Sequence, residues 1–488
     1  MYNLADLVDV SADLGSTRAA FVGPNEQVTY RELADQISAA RAGLRELGVG
    51  RGDRVAVSLR YAPDFAVAFY AILGIGAVAV PMNPALTPRE ASHYLGDSGA
   101  QVLVGLDQVD RRWIEGTDVV LVDIDRLRRH EDRSPKTAVA IDDTAVILYT
   151  SGTTGVPKGA ELTHANMYFN ATVLADPAYF GLAQTDVVAG LLPLFHTMGI
   201  LVLNLTMKAG AAMWPIEKFE ARRVAELIAA GRVSAMVGVP THLQMLMTHS
   251  DGLDFPTPLR RLTTAGAGLP PKVQAWAESR LGTPVLEGYG LTEASPTVAH
   301  NRADGPIPPG SVGRPLPGVE VKIVDALGTE AATNWLGEIV VRGPNVMKGY
   351  WNNPAATAAA ISDGWLATGD IGRVDADGYL YIVDRLKQVI IRGGFNVYPG
   401  EVEAVLREHP DVAEAAVVGI PDERVGEEIA AFVVSTGAPL TEENLREFAR
   451  TRLASYKSPR RFVLTTDLPR TATGKIARTQ LPALLADR

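Results

Sequence analysis

The sequence predicts an α/β fold: a large N-terminal domain of α/β subdomains carrying a small distorted β-barrel, and a small α+β domain at the C-terminal end. Three observations point there. Strand-like and helix-like stretches alternate through about the first 300 residues, which argues for parallel sheet. From about Asn301 proline and glycine become dense, and short strands follow one another without long helices between them, the texture of a barrel or small sheet. Beyond Asp384-Arg385-Leu386-Lys387 lie about a hundred residues, a length that folds alone. The expected domains are therefore 1–384, with the α/β part reaching about 300 and the barrel-like part 301–384, and 385–488.

The elements follow from local chemistry. Thr29 and Glu32 form a capping-box pair that opens a helix towards Leu47, and Gly48 and Gly50 end it. Arg54 to Leu59, Gln101 to Gly105 and Asp118 to Val122 are short apolar strands. Phe65 to Met82 is almost wholly apolar, but Gly74 and Gly76 interrupt it and Pro81 closes it. It reads as a buried helix, Pro63 to Leu73, a turn and a strand, Ala77 to Val80, rather than a membrane span. Peripheral membrane contact is left open. Asp123 to Lys136 reads as a charged surface connection. Ala145 to Leu148 is a strand, and Thr163 caps a helix through Leu174. Strands then recur at Val187 to Leu192, Ala211 to Trp214, Ala235 to Val239 and Leu262 to Ala265, with a helix from Arg222 to Ala230. Val285-Leu286 is a further apolar strand start. Several of these strands end in Gly- or Pro-marked loops, and in open α/β sheets ligands sit at such ends.

In the C-terminal part, strands read at Val319 to Val324, Gly337 to Arg342, Tyr379 to Val383, Ala413 to Ile420 and Ile429 to Val434. Helices read at Glu401 to Arg407, stopped before Pro410, and from Thr441 to Leu453.

Composition narrows the class. Hydrophobic residues at 47% and charged residues at 21% place the 488-residue chain among soluble globular proteins. The absence of cysteine excludes disulfides, thiolate metal sites and a cysteine nucleophile within it. A net charge of −10 argues against nucleic acid as partner. Met1 to Asp6 lacks the basic-then-apolar pattern of a signal peptide, so a cytoplasmic location is expected.

The chemistry concentrates in one string, Tyr149-Thr150-Ser151-Gly152-Thr153-Thr154-Gly155-Val156-Pro157-Lys158-Gly159. Its glycines let backbone N–H groups face one way, its hydroxyls add donors, and Lys158 adds a point charge; together they suit phosphate. The spacing is not that of the Walker loop, where lysine follows glycine directly. Four more strings stand out: Gly288-Tyr289-Gly290-Leu291-Thr292-Glu293, Thr368-Gly369-Asp370, Arg392-Gly393-Gly394-Phe395 and Pro469-Arg470-Thr471-Ala472-Thr473-Gly474-Lys475-Ile476.

In this order, the five strings resemble the motifs of the adenylate-forming superfamily, and the resemblance runs through essentially the whole chain. It implies ATP-dependent activation of a carboxylic acid as acyl-AMP with release of pyrophosphate, then transfer to a thiol, with Mg²⁺ and CoA taking part. Within the family, the Gly288 to Pro296 string resembles the fatty-acyl-CoA ligases.

The resemblance also implies roles. Thr150, Ser151, Gly152, Thr153, Thr154, Gly155 and Lys158 would cradle the phosphates. Gly266, Ala267, Glu287, Gly288 and Gly290 would line the nucleotide, Tyr289 would lie on adenine, and Thr292 would touch the α-phosphate. Glu293, with Thr150, would hold magnesium. Asp370 and Arg385 would bind the ribose. Lys475 would serve adenylation. Arg392, Gly393, Gly394 and Phe395 would line the CoA channel. The C-terminal domain would be mobile, with its hinge at Lys387; the family usually has an acidic residue where Gln388 stands. His196, Gly238, His242, Met245, Gly268, Gly290 and Leu291 would form the acyl pocket, with His196 as its gate and a candidate catalytic residue. These are mostly apolar, so a hydrophobic monocarboxylic acid, aliphatic rather than aromatic, fits best. The rivals are a fatty-acyl-AMP ligase or adenylation module that loads a carrier protein, and a degenerate nucleotide-binding scaffold. Intact Lys158, Glu293, Asp370, Arg385 and Lys475 argue against the scaffold.

Overall fold

The computed structural model describes residues 3–485 apart from 16, 25–26, 107–108, 151–155, 394, 423, 438 and 471–475, and does not describe the side chains of 10, 13–15 and 396. The fold is mixed α/β. The chain divides into a larger compact unit, Met1–Val321 with Val341–Leu366, and a smaller one, Lys322–Val340 with Ala367–Arg488. The strands expected between 319 and 383 are present as Glu320–Val324, Gly337–Arg342 and Leu380–Arg385, joined by Trp365–Val374, and the chain segments that hold them are shared between the units.

The larger unit contains two sheets. Among the described residues, one has nine strands in the order Arg314–Pro315, Thr297–His300, Val285–Gly290, Arg261–Ala265, Ala235–Gly238, Val187–Gly190, Ala212–Pro215, Ala19–Val22 and Gln27–Thr29. Its inner strands, from Val285–Gly290 to Ala19–Val22, run parallel. Alternating helices supply the crossovers that parallel pairing requires. Buried side chains such as Val224, Ile228, Met236, Leu243, Leu262 and Val285 form one core beneath it. The second sheet runs Gly349–Tyr350, Lys158–Thr163, Thr144–Thr150, Val78–Pro81, Arg54–Val57, Val102–Gly105 and Val120–Asp123.

Local signals decide many boundaries. Thr29 caps Tyr30–Glu46 and closes the capping box with Glu32. The apolar run is a core helix: every residue of Ala62–Gly74 is buried, and the strand Val78–Pro81 follows. No helix among the described residues is long and apolar enough to cross a membrane. Asp123 to Lys136 is more than a connection, because Asp123 caps a short helix, Ile124–Arg128.

One element differs from expectation in a way that matters. Lys158 to Thr163 is a strand antiparallel to Thr144–Thr150, with Thr150 opposite Lys158. The phosphate-type string is thus a hairpin connection whose two ends are fixed by a strand ladder. Thr163 still caps His164–Leu174, accepting from the Asn166 N–H.

The smaller unit holds a sheet in which Gly426–Ser435 is central. Val412–Asp422 is its edge strand, antiparallel to Gly426–Ser435, and Arg461–Thr465 runs parallel on the other side. The helices Pro399–Arg407 and Glu442–Arg450 cover it, burying Val402, Leu406, Leu445 and Ala449.

Candidate active site

The first residue of the string is anchored firmly. The Tyr149 hydroxyl donates to Asp97 at 2.7 Å, and its ring stacks on Tyr94 with centroids 4.1 Å apart. Thr150 follows, and its hydroxyl donates to a Glu293 carboxylate oxygen at 3.2 Å. The same oxygen accepts from the Tyr350 hydroxyl at 3.0 Å. The Glu293 carbonyl accepts from the Met347 N–H at 2.8 Å. Lys158 places its ammonium 5.2 Å from the Tyr350 ring centroid, within cation–π range. Four residues far apart in sequence therefore form one group: Thr150, Lys158, Glu293 and Tyr350. Residues 151–155, expected to bind phosphate, lie outside the described residues.

This group fits a hard divalent cation. A carboxylate flanked by two hydroxyls is an oxygen-only donor set, and magnesium takes one or two protein carboxylates with phosphate and water completing its shell. Glu293 and Thr150 would hold it.

The nucleotide and acyl residues come from the carboxyl ends of adjacent parallel strands. Val187–Gly190 leads to His196, Ala235–Gly238 ends at Gly238, Arg261–Ala265 leads to Gly266, Ala267 and Gly268, and Val285–Gly290 carries Glu287, Gly288, Tyr289 and Gly290. These strands are neighbours in the sheet, so their loops leave it at the same end, where ligands sit in open α/β sheets. Gly266 has φ +87, a left-handed turn natural to glycine. A Cβ on Gly290 would lie 1.9 Å from the Pro296 carbonyl oxygen, so only glycine fits there. Leu291 and Thr292 follow, and the Thr292 hydroxyl sits 3.1 Å from that of Thr197, at the start of the helix Thr197–Ala209. His196 is the residue that precedes this helix.

Glu287 is buried, and its carboxylate accepts from the Leu269 N–H at 3.3 Å. Burial raises its pKa to about 7, and that hydrogen bond opposes the rise. The contact ties the Gly266 to Leu269 strip to the neighbouring strand. His242 stacks on Phe219 with centroids 4.3 Å apart, and burial lowers its pKa to about 4. Its ring accepts from the Val239 N–H at 3.4 Å, so it also caps its own helix. Met245 is exposed on the same helix, and Gly268 is exposed, with open space where a Cβ would point.

The remaining residues lie in the smaller unit. Asp370 and Arg385 face each other across a hairpin, and the Arg385 guanidinium lies 3.1 Å from the buried Asp370 carboxylate. Lys387 is exposed in a single turn, Leu386–Gln388. Arg392 is held by Glu428 at 2.6 Å and by the Tyr456 carbonyl at 3.2 Å, so its guanidinium is engaged within the unit. Gly393 has a left-handed φ of +57 and donates to the Val425 carbonyl. Phe395 is exposed beside Tyr456. Gly394 and Lys475 lie outside the described residues.

Sequence reasoning missed Tyr350 and Thr197. The string Gly349-Tyr350-Trp351 was the available signal for the first: Tyr350 pairs with Ala160 in the sheet, which points its ring at the hairpin ends. Thr197 had none beyond its place after His196.

Comparison with known proteins agrees with the motif reading. The AMP-binding enzyme family matches residues 8–351, and the AMP-binding enzyme C-terminal domain matches 401–475. A long-chain-fatty-acid–CoA ligase of Bacillus subtilis is 35% identical over 95% of this chain and 91% of its own. A feruloyl-CoA synthase of Amycolatopsis is 38% identical over 92% of each chain. The structure of an o-succinylbenzoate CoA synthetase from Bacillus subtilis, in complex with its acyl-adenylate intermediate, superposes with a TM-score of 0.88 at 33% identity, over 99% of this chain and 98% of that one.

Proposed function

The chain belongs to the AMP-binding enzyme family and is an AMP-forming acid–CoA ligase, and on that premise we propose that its acid is a hydrophobic monocarboxylic acid, aliphatic rather than aromatic. The observation that carries this is the uncharged character of the acyl strip. Gly238, Met245 and Gly268 bear no charge, and burial keeps His242 neutral near pH 7. A second carboxylate would enter that strip without a counter-charge, and desolvating an unpaired charge costs several kcal/mol. The fatty-acid ligase relative supports an aliphatic acid, and the feruloyl relative makes aryl acids the competitor to test.

The reaction has two steps. First, the substrate carboxylate attacks the α-phosphorus of ATP; a P–O bond forms to the acid, the α–β bridging P–O bond breaks, and pyrophosphate leaves. Negative charge meets negative charge, so the chain's work is to offset it with fixed donors. Lys158 supplies a cation at one end of the hairpin and Thr150 a hydroxyl at the other. Thr292 is assigned the α-phosphate, and Thr197 orients its hydroxyl. Glu293, steadied by Thr150 and Tyr350, presents the carboxylate for magnesium, which when bound adds positive charge against the phosphate oxygens. Asp370 accepts from the ribose hydroxyls and Arg385 steadies it. Lys475 completes the charge for this step alone. Second, the CoA thiol loses its proton, its sulfur attacks the acyl carbon, and the C–O bond to AMP breaks. Backbone rotation at Lys387 is assigned the change between the two steps, removing Lys475 and bringing in Gly393 and Gly394.

The test is pyrophosphate release across short to long aliphatic acids, aryl acids and dicarboxylates, each with and without CoA. CoA-dependent turnover with an aliphatic optimum is expected. A dicarboxylate or aryl optimum contradicts the assigned acid. Release that stalls near one equivalent despite CoA points instead to a carrier-protein acceptor.

A further inference from the structure

One helix, Pro88–Ser98, meets both ends of the hairpin that carries Thr150 and Lys158. His93 and Tyr94 lie four and three residues before Asp97, a spacing that sets side chains next to one another on a helix surface. At one end, the Asp97 carboxylate accepts from the Tyr149 hydroxyl at 2.7 Å, and Tyr94 stacks on the Tyr149 ring. Thr150 is the next residue. At the other end, the His93 Nε2–H donates to the Pro157 carbonyl at 3.0 Å, and Lys158 is the next residue. A carbonyl only accepts, so this contact assigns the proton to Nε2. Trp351 closes the arrangement. Its indole N–H donates to the Asp97 carbonyl at 3.2 Å, and its backbone N–H to the Gly159 carbonyl at 2.8 Å. All of these residues belong to the larger unit.

These braces sit where the strand ladder ends. Thr150 opposite Lys158 is its last described rung, and Pro157 has no N–H with which to extend it. The Pro157 carbonyl is the backbone group left to tie down there, and His93 ties it. At the other end a hydrogen bond to a carboxylate is roughly twice as strong as one between neutral groups. The platform itself is well fixed. Thr87 and Glu90 cap the helix with a reciprocal pair, Gly99 ends it in a left-handed turn, and Ala91 and Leu95 anchor it in the core. Gly159 lets the parts close up: a Cβ there would stand 2.6 Å from the Ile147 side chain and 3.4 Å from the Tyr149 ring.

We propose that His93 and Asp97 are positioning residues for adenylation: from one helix they set Lys158 through Pro157 and Thr150 through Tyr149. This rests on the reading of Thr150 and Lys158 as the magnesium and phosphate residues of the first half-reaction. His93 and Asp97 are assigned no substrate contact; they act through the neighbours they brace. Misplacing a catalytic group by about 1 Å can cost roughly a hundredfold in rate. The thiol-transfer step starts from acyl-AMP, which has no pyrophosphate for Thr150 and Lys158 to serve, so it does not depend on the braces.

The test compares Asp97→Ala, Asp97→Asn, His93→Leu, His93→Gln and Tyr149→Phe with Lys158→Ala, all in the full chain, using the acid of highest turnover in the panel above and its acyl-AMP. Three readouts are taken: ATP–pyrophosphate exchange with its KM for ATP and kcat, thioester formation from supplied acyl-AMP and CoA, and the thermal unfolding midpoint. The expected result is exchange reduced at least tenfold in Asp97→Ala, His93→Leu and Tyr149→Phe, with thioester formation within about twofold of the parent. Asp97→Asn keeps an acceptor and His93→Gln a donor, so both are expected to regain most of the exchange. If Asp97→Ala does not fold, Tyr149→Phe decides, because it removes only the hydroxyl and keeps the ring on Tyr94. Selective loss of exchange in Lys158→Ala, with no loss or with equal loss of both half-reactions in the folded brace variants, overturns the positioning proposal alone. So does exchange in Asp97→Asn and His93→Gln no better than in Asp97→Ala and His93→Leu. Equal loss of both half-reactions in Lys158→Ala, or none, overturns the reading beneath it as well.

Discussion

Glu293 is oriented before any ligand arrives, because hydroxyls from Thr150 and Tyr350 meet at one of its oxygens. Replacing it with glutamine keeps the shape and removes the charge. Glu293→Gln is expected to lower adenylation by roughly a hundred- to a thousand-fold, the usual ~2.7–4 kcal/mol for one preorganised electrostatic group; an exchange rate within threefold of the parent contradicts the assignment. Asp370→Ala is expected to raise the KM for ATP about ten- to a hundredfold, since hydrogen bonds to a charged group contribute about 1.5–3 kcal/mol. A change confined to kcat would speak against a ribose contact. Glu287 gives a pH signature. Its carboxyl titrates near 4.5 when unfolded and is raised to about 7 by burial. The native chain therefore holds a proton that the unfolded chain has released. That contribution to stability is complete below about pH 4.5 and is lost as pH rises through about 7, amounting to about 3 kcal/mol at most. Urea unfolding of the parent and Glu287→Gln between pH 4.5 and 8 checks it. The parent declines relative to the variant as pH rises, and parallel curves would rule out a raised carboxyl.

At the scale of elements, what the sequence made legible was local. Thr29 with Glu32, and Thr163 before His164, announce their helices because the cap and its partner are three residues apart. The Gly-marked strand ends belong to adjacent parallel strands, since parallel strands with alternating helices leave few other arrangements. The strand Lys158–Thr163 was hidden for a physical reason. Glycine and a lone glutamate weaken its pattern, and only pairing with Thr144–Thr150 makes it a strand. Tyr350 was hidden likewise: its bond to Glu293 spans 57 residues and depends on the register of a two-residue strand. The ion pair of Arg478 with Glu403 spans 75 residues and left no local trace. The hinge belongs to this scale too. Lys387 sits in an exposed single 3-10 turn, Leu386–Gln388, outside the strand ladders on either side of it. Proline fixes φ and removes an N–H. Lys387→Pro is therefore expected to slow one half-reaction at least tenfold while the other changes little; unchanged rates for both would move the hinge elsewhere.

For the whole molecule, the proposed function sets local charge against the global sign: the chain carries −10 overall, and Lys158, Arg385 and Lys475 are the cations assigned to the anionic substrate. The family was readable from five ordered strings, while the acid was not, because the residues assigned to its pocket come from loops after four separate strands rather than from any contiguous run. On the proposed mechanism, Lys475 serves one half-reaction and withdraws from the other. The measurement that tests it most directly is the rate of each half-reaction in Lys475→Ala: acid-dependent pyrophosphate exchange, and CoA thioester formation from supplied acyl-AMP. Exchange reduced by a hundredfold or more with thioester formation intact is the predicted result. Comparable loss of both, in a variant that melts like the parent, would contradict it.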